Sequence, residues 1–112
     1  YKKAQQMRAL VTEDFREAFK NVDILISPTC PNTAFELGAK SSDPLSMYLT
    51  DIATISCNLA GLPGISVPAG FDSTGMPIGL QILAPQFEEA RLFNFAHRFE
   101  QENDFYTKLA NV

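Results

Sequence analysis

Apolar residues recur at Ala4, Met7, Val11, Phe15, Ala18, Phe19 and Val22. This three-and-four spacing predicts an amphipathic helix over residues 1–22 with one buried stripe. Glu13, Asp14, Arg16, Glu17 and Lys20 fall on the other face and read as solvated surface. The period then changes. Asp23-Ile-Leu-Ile26 is a short apolar run stopped by Ser27-Pro28, expected as a buried strand of the parallel type. Pro28 and Pro31 cannot extend a hydrogen-bond ladder, which puts Thr29 and Cys30 on a loop at the C-terminal end of that strand.

Helical spacing returns at Leu45, Tyr48, Leu49, Ile52, Ile55 and Leu59. Asp43 is placed to cap that helix, with Pro44 at its first position. Thr50-Asp51 and Thr54-Ile-Ser56 offer fresh capping side chains and β-branched residues, so two short helices with a break between Tyr48 and Thr54 are expected. Such a break would aim Asp51 away from the solvent face that an ordinary helical Asp takes; capping a helix is the plain structural role for the same residue. Gly61 sits where a left-handed C-cap is wanted, and Pro63 forbids continuation. Two β-prone runs follow, 65–69 and 77–83, joined by the turn-forming cluster Phe71 to Met76 as a hairpin. Pro85-Gln-Phe-Glu88 opens the last helix, with Ala90, Leu92, Phe93, Ala96 and Phe99 as its buried face. The tail from Asn103 to Val112 is expected to be loosely held. Strands alternating with helices indicate an α/β layered arrangement.

Composition adds bounds. The 112 residues are 46% apolar and 11% aromatic, a globular balance and one domain's worth of chain or part of a larger one. The formal charge is -4, and Lys and Arg are dispersed, so phosphate-backbone contacts have little to draw on. No apolar run approaches the roughly 20 residues of a membrane-spanning helix. The chain starts at Tyr1 without an initiator Met, and residues upstream are expected to be missing.

Four features could carry chemistry. Cys30 and Cys57 lack CxxC spacing or a nearby His and read as reduced, packed thiols; no metal site is expected. His97, the single histidine, has no ligand-type neighbour at metal spacing and reads as structural or surface. Lys40-Ser41-Ser42 brings lysine and serine together, but a polar linker keeps the ammonium solvated and charged, which excludes a Ser/Lys nucleophile. The fourth is the loop Ser27-Pro-Thr-Cys-Pro31, where Thr29 is a weak candidate for a pocket.

The segment Asn58-Leu-Ala-Gly-Leu-Pro-Gly-Ile-Ser-Val-Pro-Ala-Gly-Phe71, followed by Gly75-Met-Pro-Ile-Gly-Leu-Gln-Ile82, resembles the C-terminal part of the amidase-signature family. Phe35-Glu-Leu-Gly38 and Asp43-Pro-Leu-Ser-Met-Tyr-Leu-Thr-Asp51 are most similar to the glutamine-hydrolysing subunits of tRNA-dependent amidotransferases within it. The resemblance covers nearly the whole chain. It implies that residues 1–112 are the C-terminal segment of one α/β/α sandwich built on a mixed sheet. It also implies that the nucleophilic serine, the bridging serine and the lysine base lie upstream on a Gly/Ser-rich stretch. Nothing here matches that stretch, so no catalytic residue is expected in this chain and it should hydrolyse nothing alone.

What the resemblance leaves to this segment is recognition. Asp51 matches the position that binds the α-ammonium of glutamine, and the loop carrying Thr29 lies near the pocket. The same resemblance implies a cytoplasmic complex in which partner subunits hold the tRNA and use ATP and Mg²⁺, this chain holding no cofactor and touching no membrane. Three strands flanked by broadly apolar helices leave sheet edges open, so the isolated segment is expected to self-associate. Two alternatives stand beside this reading: another amidase-signature hydrolase acting on a simple carboxamide, and a non-catalytic α/β interaction module.

Overall fold

A glycine in the left-handed conformation turns the chain from its helical half into its sheet. Gly61 has φ 67° and ψ 39°, and behind it Leu62 N–H donates to the Cys57 carbonyl at 3.2 Å, closing the helix. The computed structural model, which describes residues 1–39 and 43–110, places around this corner four α-helices and three strands: α1 (Lys2–Ala18), β1 (Leu25–Pro28), α2 (Pro44–Leu49), α3 (Ile52–Ala60), β2 (Gly64–Phe71), β3 (Pro77–Leu83) and α4 (Glu89–Glu102). A 3-10 turn, Phe105–Thr107, follows. The expected Lys40-Ser41-Ser42 loop lies outside the described residues.

The strand order is β1-β3-β2, with β3 antiparallel to both neighbours. The β2–β3 hairpin is the one expected, and β2 runs longer, with an irregular register between Pro68 and Phe71. β1 differs from expectation. It starts two residues later, pairs antiparallel, and alternates in burial, with Ile26 61% exposed. A four-residue apolar run has the same sequence pattern at an edge as in a sheet centre, and here it is an edge among the described residues.

Cross-strand register divides the sheet into two faces. Ile65, Ile82 and Ile26 share a level, as do Val67, Leu80 and Pro28. This apolar face packs under α4: Val67, Ile82, Ala84, Leu92 and Ala96 form the buried cluster, with Ile24, Ile65, Leu80 and Phe99 against it. Ala90 and Phe93, expected in that face, are exposed. The other face carries Ser27, Gln81 and Ser66 at one level and receives α3. Gln81 is 6% exposed and donates from Nε2 to the Ala53 carbonyl (3.0 Å) and to Ser27 Oγ (3.3 Å), so its buried amide is bonded to both the helix and the neighbouring strand.

α3 meets the sheet with its small residues. Cys57 and Ala60 are buried, and a Cβ at Gly64 would come within 2.9 Å of Leu83 Cδ2 and 3.1 Å of Cys57 Sγ. A side chain at this position would have to displace Leu83 or Cys57. As a result the apolar stripe of α2 and α3 faces outward: Leu45, Tyr48, Leu49, Ile52, Ile55 and Leu59 are all exposed. α1 likewise ends at Ala18, four residues short of expectation, and exposes Met7 and Leu10. It is fastened to α3 by Arg8, whose Nε donates to the Leu59 carbonyl at 2.8 Å near the end of that helix.

Residues 104–108 of the tail are better held than their composition suggests. Phe105 lies against Gly70, whose Cβ position is 3.8 Å from Phe105 Cε1, and Lys108 pairs with Asp104 at 2.9 Å. No helix among the described residues is long and apolar enough to cross a membrane.

Candidate functional site

β1 ends at Pro28, and Thr29 is the first residue beyond it. Its backbone still donates to the Gly79 carbonyl (2.9 Å), while Thr29 Oγ1 and Ser66 Oγ share a hydrogen bond of 2.6 Å. The two hydroxyls meet over Gly79 because that residue has no side chain. A Cβ there would stand 2.7 Å from Thr29 Oγ1 and 2.9 Å from Ser66 Oγ. The loop from Thr29 to Ala34 rises from this point and, with Ser66 and Pro77 to Gly79, walls a cleft of about 420 Å³. None of its lining side chains is ionisable except the Cys30 thiol; Thr29, Asn32, Thr33 and Ser66 offer neutral hydrogen-bonding groups between prolines and Ile78. Such a lining suits a neutral polar group, a carboxamide for instance, better than an ion.

The far end of the loop is held by Asp72, in the turn between β2 and β3. Its Oδ1 accepts from Thr74 N–H (2.8 Å), Thr74 Oγ1 (2.7 Å) and Met76 N–H (3.0 Å), and its Oδ2 accepts from Thr33 Oγ1 (2.5 Å). These donors, Thr33 foremost and then Thr74 and Met76, hold the carboxyl well below the usual carboxylate range. The sign follows: the stabilisation from Asp72 is fully present above the unfolded pKa of about 3.9 and fades as pH falls through the lower folded value.

Asp51 lies at the junction of α2 and α3, where the expected break occurs. Its carbonyl accepts from Thr54 N–H, Ile55 N–H and Thr54 Oγ1, but its carboxylate makes no capping hydrogen bond. The capping role open to it in sequence is therefore not how the side chain is used. Asp43 provides the contrast, its Oδ1 accepting from Ser46 N–H at 3.2 Å to cap α2. Nor does the break turn Asp51 inward; the residue is exposed among the described residues. It does not line the Thr29 cleft. The two candidates are connected through structure: Asp51 is two residues before Ala53, whose carbonyl receives Gln81, and Gln81 shares its sheet level with Ser66.

Cys57 is buried, with Sγ donating to the Leu62 carbonyl at 3.3 Å, and burial pushes its thiol pKa up. Cys30, expected to be packed, is exposed at the cleft mouth, since the Pro28 and Pro31 bracket carries it off the sheet. An aromatic disulfide reagent should titrate one thiol rapidly in the folded protein and the second only on unfolding. Loss of the fast phase in Cys30→Ser, with retention in Cys57→Ala, is the expected assignment. His97 is exposed, and no group of three His, Cys, Asp or Glu side chains among the described residues could hold a metal. A smaller hollow of about 190 Å³ lies beside α1, but its Arg16 and Lys20 are paired with Glu13 and Glu17.

Sequence reasoning singled out Thr29 but missed Ser66, Gly79, Thr33 and Asp72. The signal for Ser66 and Gln81 was a polar residue interrupting each apolar run, Ile-Ser-Val and Leu-Gln-Ile. It becomes meaningful only once the register aligns them.

The sequence profile of the amidase family matches residues 1–93. A glutamyl-tRNA(Gln) amidotransferase subunit from Methylococcus capsulatus is 56% identical over 108 residues, 96% of this chain and 22% of that protein. The crystal structure of the subunit of the same name from Thermotoga maritima superposes with a TM-score of 0.78 at 41% identity, covering 82% of this chain and 20% of that one. A 6-aminohexanoate cyclic dimer hydrolase aligns with a TM-score of 0.79 at 28% identity, covering 96% of this chain and 25% of that one. The chain thus spans about a fifth of the length of the curated relatives it matches.

Proposed function

The chain belongs to the amidase family, and from that premise we propose that it is the C-terminal segment of the glutamine-hydrolysing subunit of a glutamyl-tRNA(Gln) amidotransferase. In this reading residues 1–112 complete a single α/β/α domain whose nucleophile and base are carried elsewhere in the subunit. The intact enzyme is cytoplasmic and frees ammonia from glutamine, and the ammonia converts Glu-tRNA(Gln) to Gln-tRNA(Gln). ATP, Mg²⁺ and most tRNA contact belong to partner subunits; no step assigned to this segment runs through them.

One observation carries the reading: the Asp51 carboxylate stands at a helix break with its backbone bonded and its side chain uncommitted to a cap. In a pocket completed by the rest of the subunit, that carboxylate would hold the α-ammonium of glutamine through a charge-assisted hydrogen bond. The neutral cleft at Thr29 suits the uncharged end of an amide substrate. The outward apolar stripe of α2 and α3 supports the same view, since exposed Leu and Ile at regular helical spacing suit a surface that other parts of a larger molecule cover. It also supports self-association of the isolated segment.

A second reading, a carboxamide hydrolase of the same family with a different substrate, is favoured by the likeness to the 6-aminohexanoate cyclic dimer hydrolase. Ammonia release by the complete subunit separates the two. Turnover of glutamine well above that of aryl or alkyl amides supports the first, and the reverse order supports the second. The 112-residue segment alone should release no ammonia from glutamine; any turnover by it would place catalytic groups inside these residues.

A further inference from the structure

We infer that Thr33 and Asp72 are positioning residues that fix the cleft loop, and through it the substrate-facing groups of Thr29 and Asn32. The inference rests on the amide-cleft reading above. The loop is fixed at both ends by side-chain hydrogen bonds to the β2–β3 hairpin. At its start Thr29 Oγ1 meets Ser66 Oγ at 2.6 Å, and near its end Thr33 Oγ1 donates to Asp72 Oδ2 at 2.5 Å. Pro31 and Asn32 lie exposed between these points. The two carboxylate oxygens of Asp72 divide their work. Oδ1 takes the three donors of the hairpin's own turn, whereas Oδ2 takes Thr33. The turn therefore keeps its internal bonds whether or not the loop is attached, and the attachment is a separable, charge-assisted bond. The donors hold the Asp72 carboxyl well below the usual carboxylate range, so Oδ2 stays an anionic acceptor for Thr33 through the neutral range.

A cleft wall held only at Thr29 would sample several positions, and a substrate would have to select one of them. The cost of that selection falls on binding and not on the chemical step.

The test uses the complete subunit carrying this segment, with whichever amide the wild type hydrolyses. Thr33→Val, which keeps shape but removes the hydroxyl, should raise KM about fivefold and leave kcat within about twofold. Thr33→Ser should restore KM to within about twofold of wild type. Thr74→Val removes a bond to the same carboxylate on the hairpin side, and should leave KM within about twofold. Backbone order parameters at Cys30, Asn32 and Thr33, measured by NMR relaxation, should fall in Thr33→Val and stay unchanged in Thr74→Val, a readout that needs no substrate. Where Thr33→Val folds poorly, Thr33→Ala is read in the same way. The inference is overturned by unchanged order parameters in folded Thr33→Val, by failure of serine to rescue, or by an equal KM rise in Thr74→Val, which would mean a general loosening of the turn. Hydrolysis of some other amide instead of glutamine would overturn the proposed function while the order parameters still decide the role of Thr33.

Discussion

Asp51→Asn in the complete subunit is expected to raise KM for glutamine by at least about 30-fold while leaving reaction driven by free ammonia nearly intact. Removing one partner of a buried, hydrogen-bonded charge pair costs on the order of 2 to 5 kcal/mol, and the lower figure corresponds to about 30-fold. Asparagine keeps the size and one acceptor oxygen but loses the charge, so the effect reports the ion pair and not a change of shape. Ammonia has no α-ammonium to place, which makes it the internal control. The variant should also fold as well as wild type, because the carboxylate caps no helix. Equal losses with glutamine and with ammonia would instead mean that the substitution damages the enzyme in general, and the recognition role would fall.

Ile82→Ala should be the most destabilising single truncation in the chain, by about 2 to 5 kcal/mol. Ile82 is the largest fully buried side chain among the described residues, 0% exposed, on the central strand between Ile65 and Ile26 and inside the cluster that α4 covers. Both flanking strands hydrogen-bond to β3, so the surroundings cannot collapse into the void without breaking ladder bonds, which favours the upper half of the range. Ile26→Ala at the same level of the sheet supplies the comparison. At 61% exposure it should cost no more than about 0.5 kcal/mol. Urea unfolding of both variants, with unchanged m-values, checks the pair. A shift for Ile26 as large as that for Ile82 would mean that β1 is covered on its open side in solution.

Much of the fold was legible because its signals are local. Asp43-Pro44 started a helix, Thr50-Asp51 broke one, Gly61 ended one, and the cluster from Phe71 to Met76 closed a hairpin. Each is a matter of a few neighbouring residues and their allowed backbone angles. What failed depends on distant partners. Spacing set the apolar stripe of α2 and α3 but not the side it faces: the sheet surface opposite α3 presents Gly64, Gln81 and Ser27, and small residues fit it better than large ones. β1 was expected in a parallel pairing because nothing in Asp23 to Ile26 specifies its neighbour. The tail looked loose because the contact of Phe105 with Gly70 spans residues far apart in sequence.

The site divides along the same line. Thr29 could be placed by the prolines that bracket it, but its partner Ser66 is 37 residues away and is brought to it by the β1-β3-β2 order. Gly79 reads in sequence as one more weak spot in a strand; its purpose, room for two hydroxyls, exists only in three dimensions. Asp72 read correctly as a turn residue, and that local explanation concealed its second oxygen.

The contrast between Asp43 and Asp51 has an evolutionary corollary. One aspartate is answerable to foldability, since its carboxylate ends a helix; the other owes nothing to the helix it precedes. A survey of all substitutions scored for cellular abundance and for activity should therefore separate the two positions. Variants of Asp43 would be depleted in both measures, whereas those of Asp51, if it holds the glutamine ammonium as proposed, would accumulate to normal levels with glutamine-dependent activity lost.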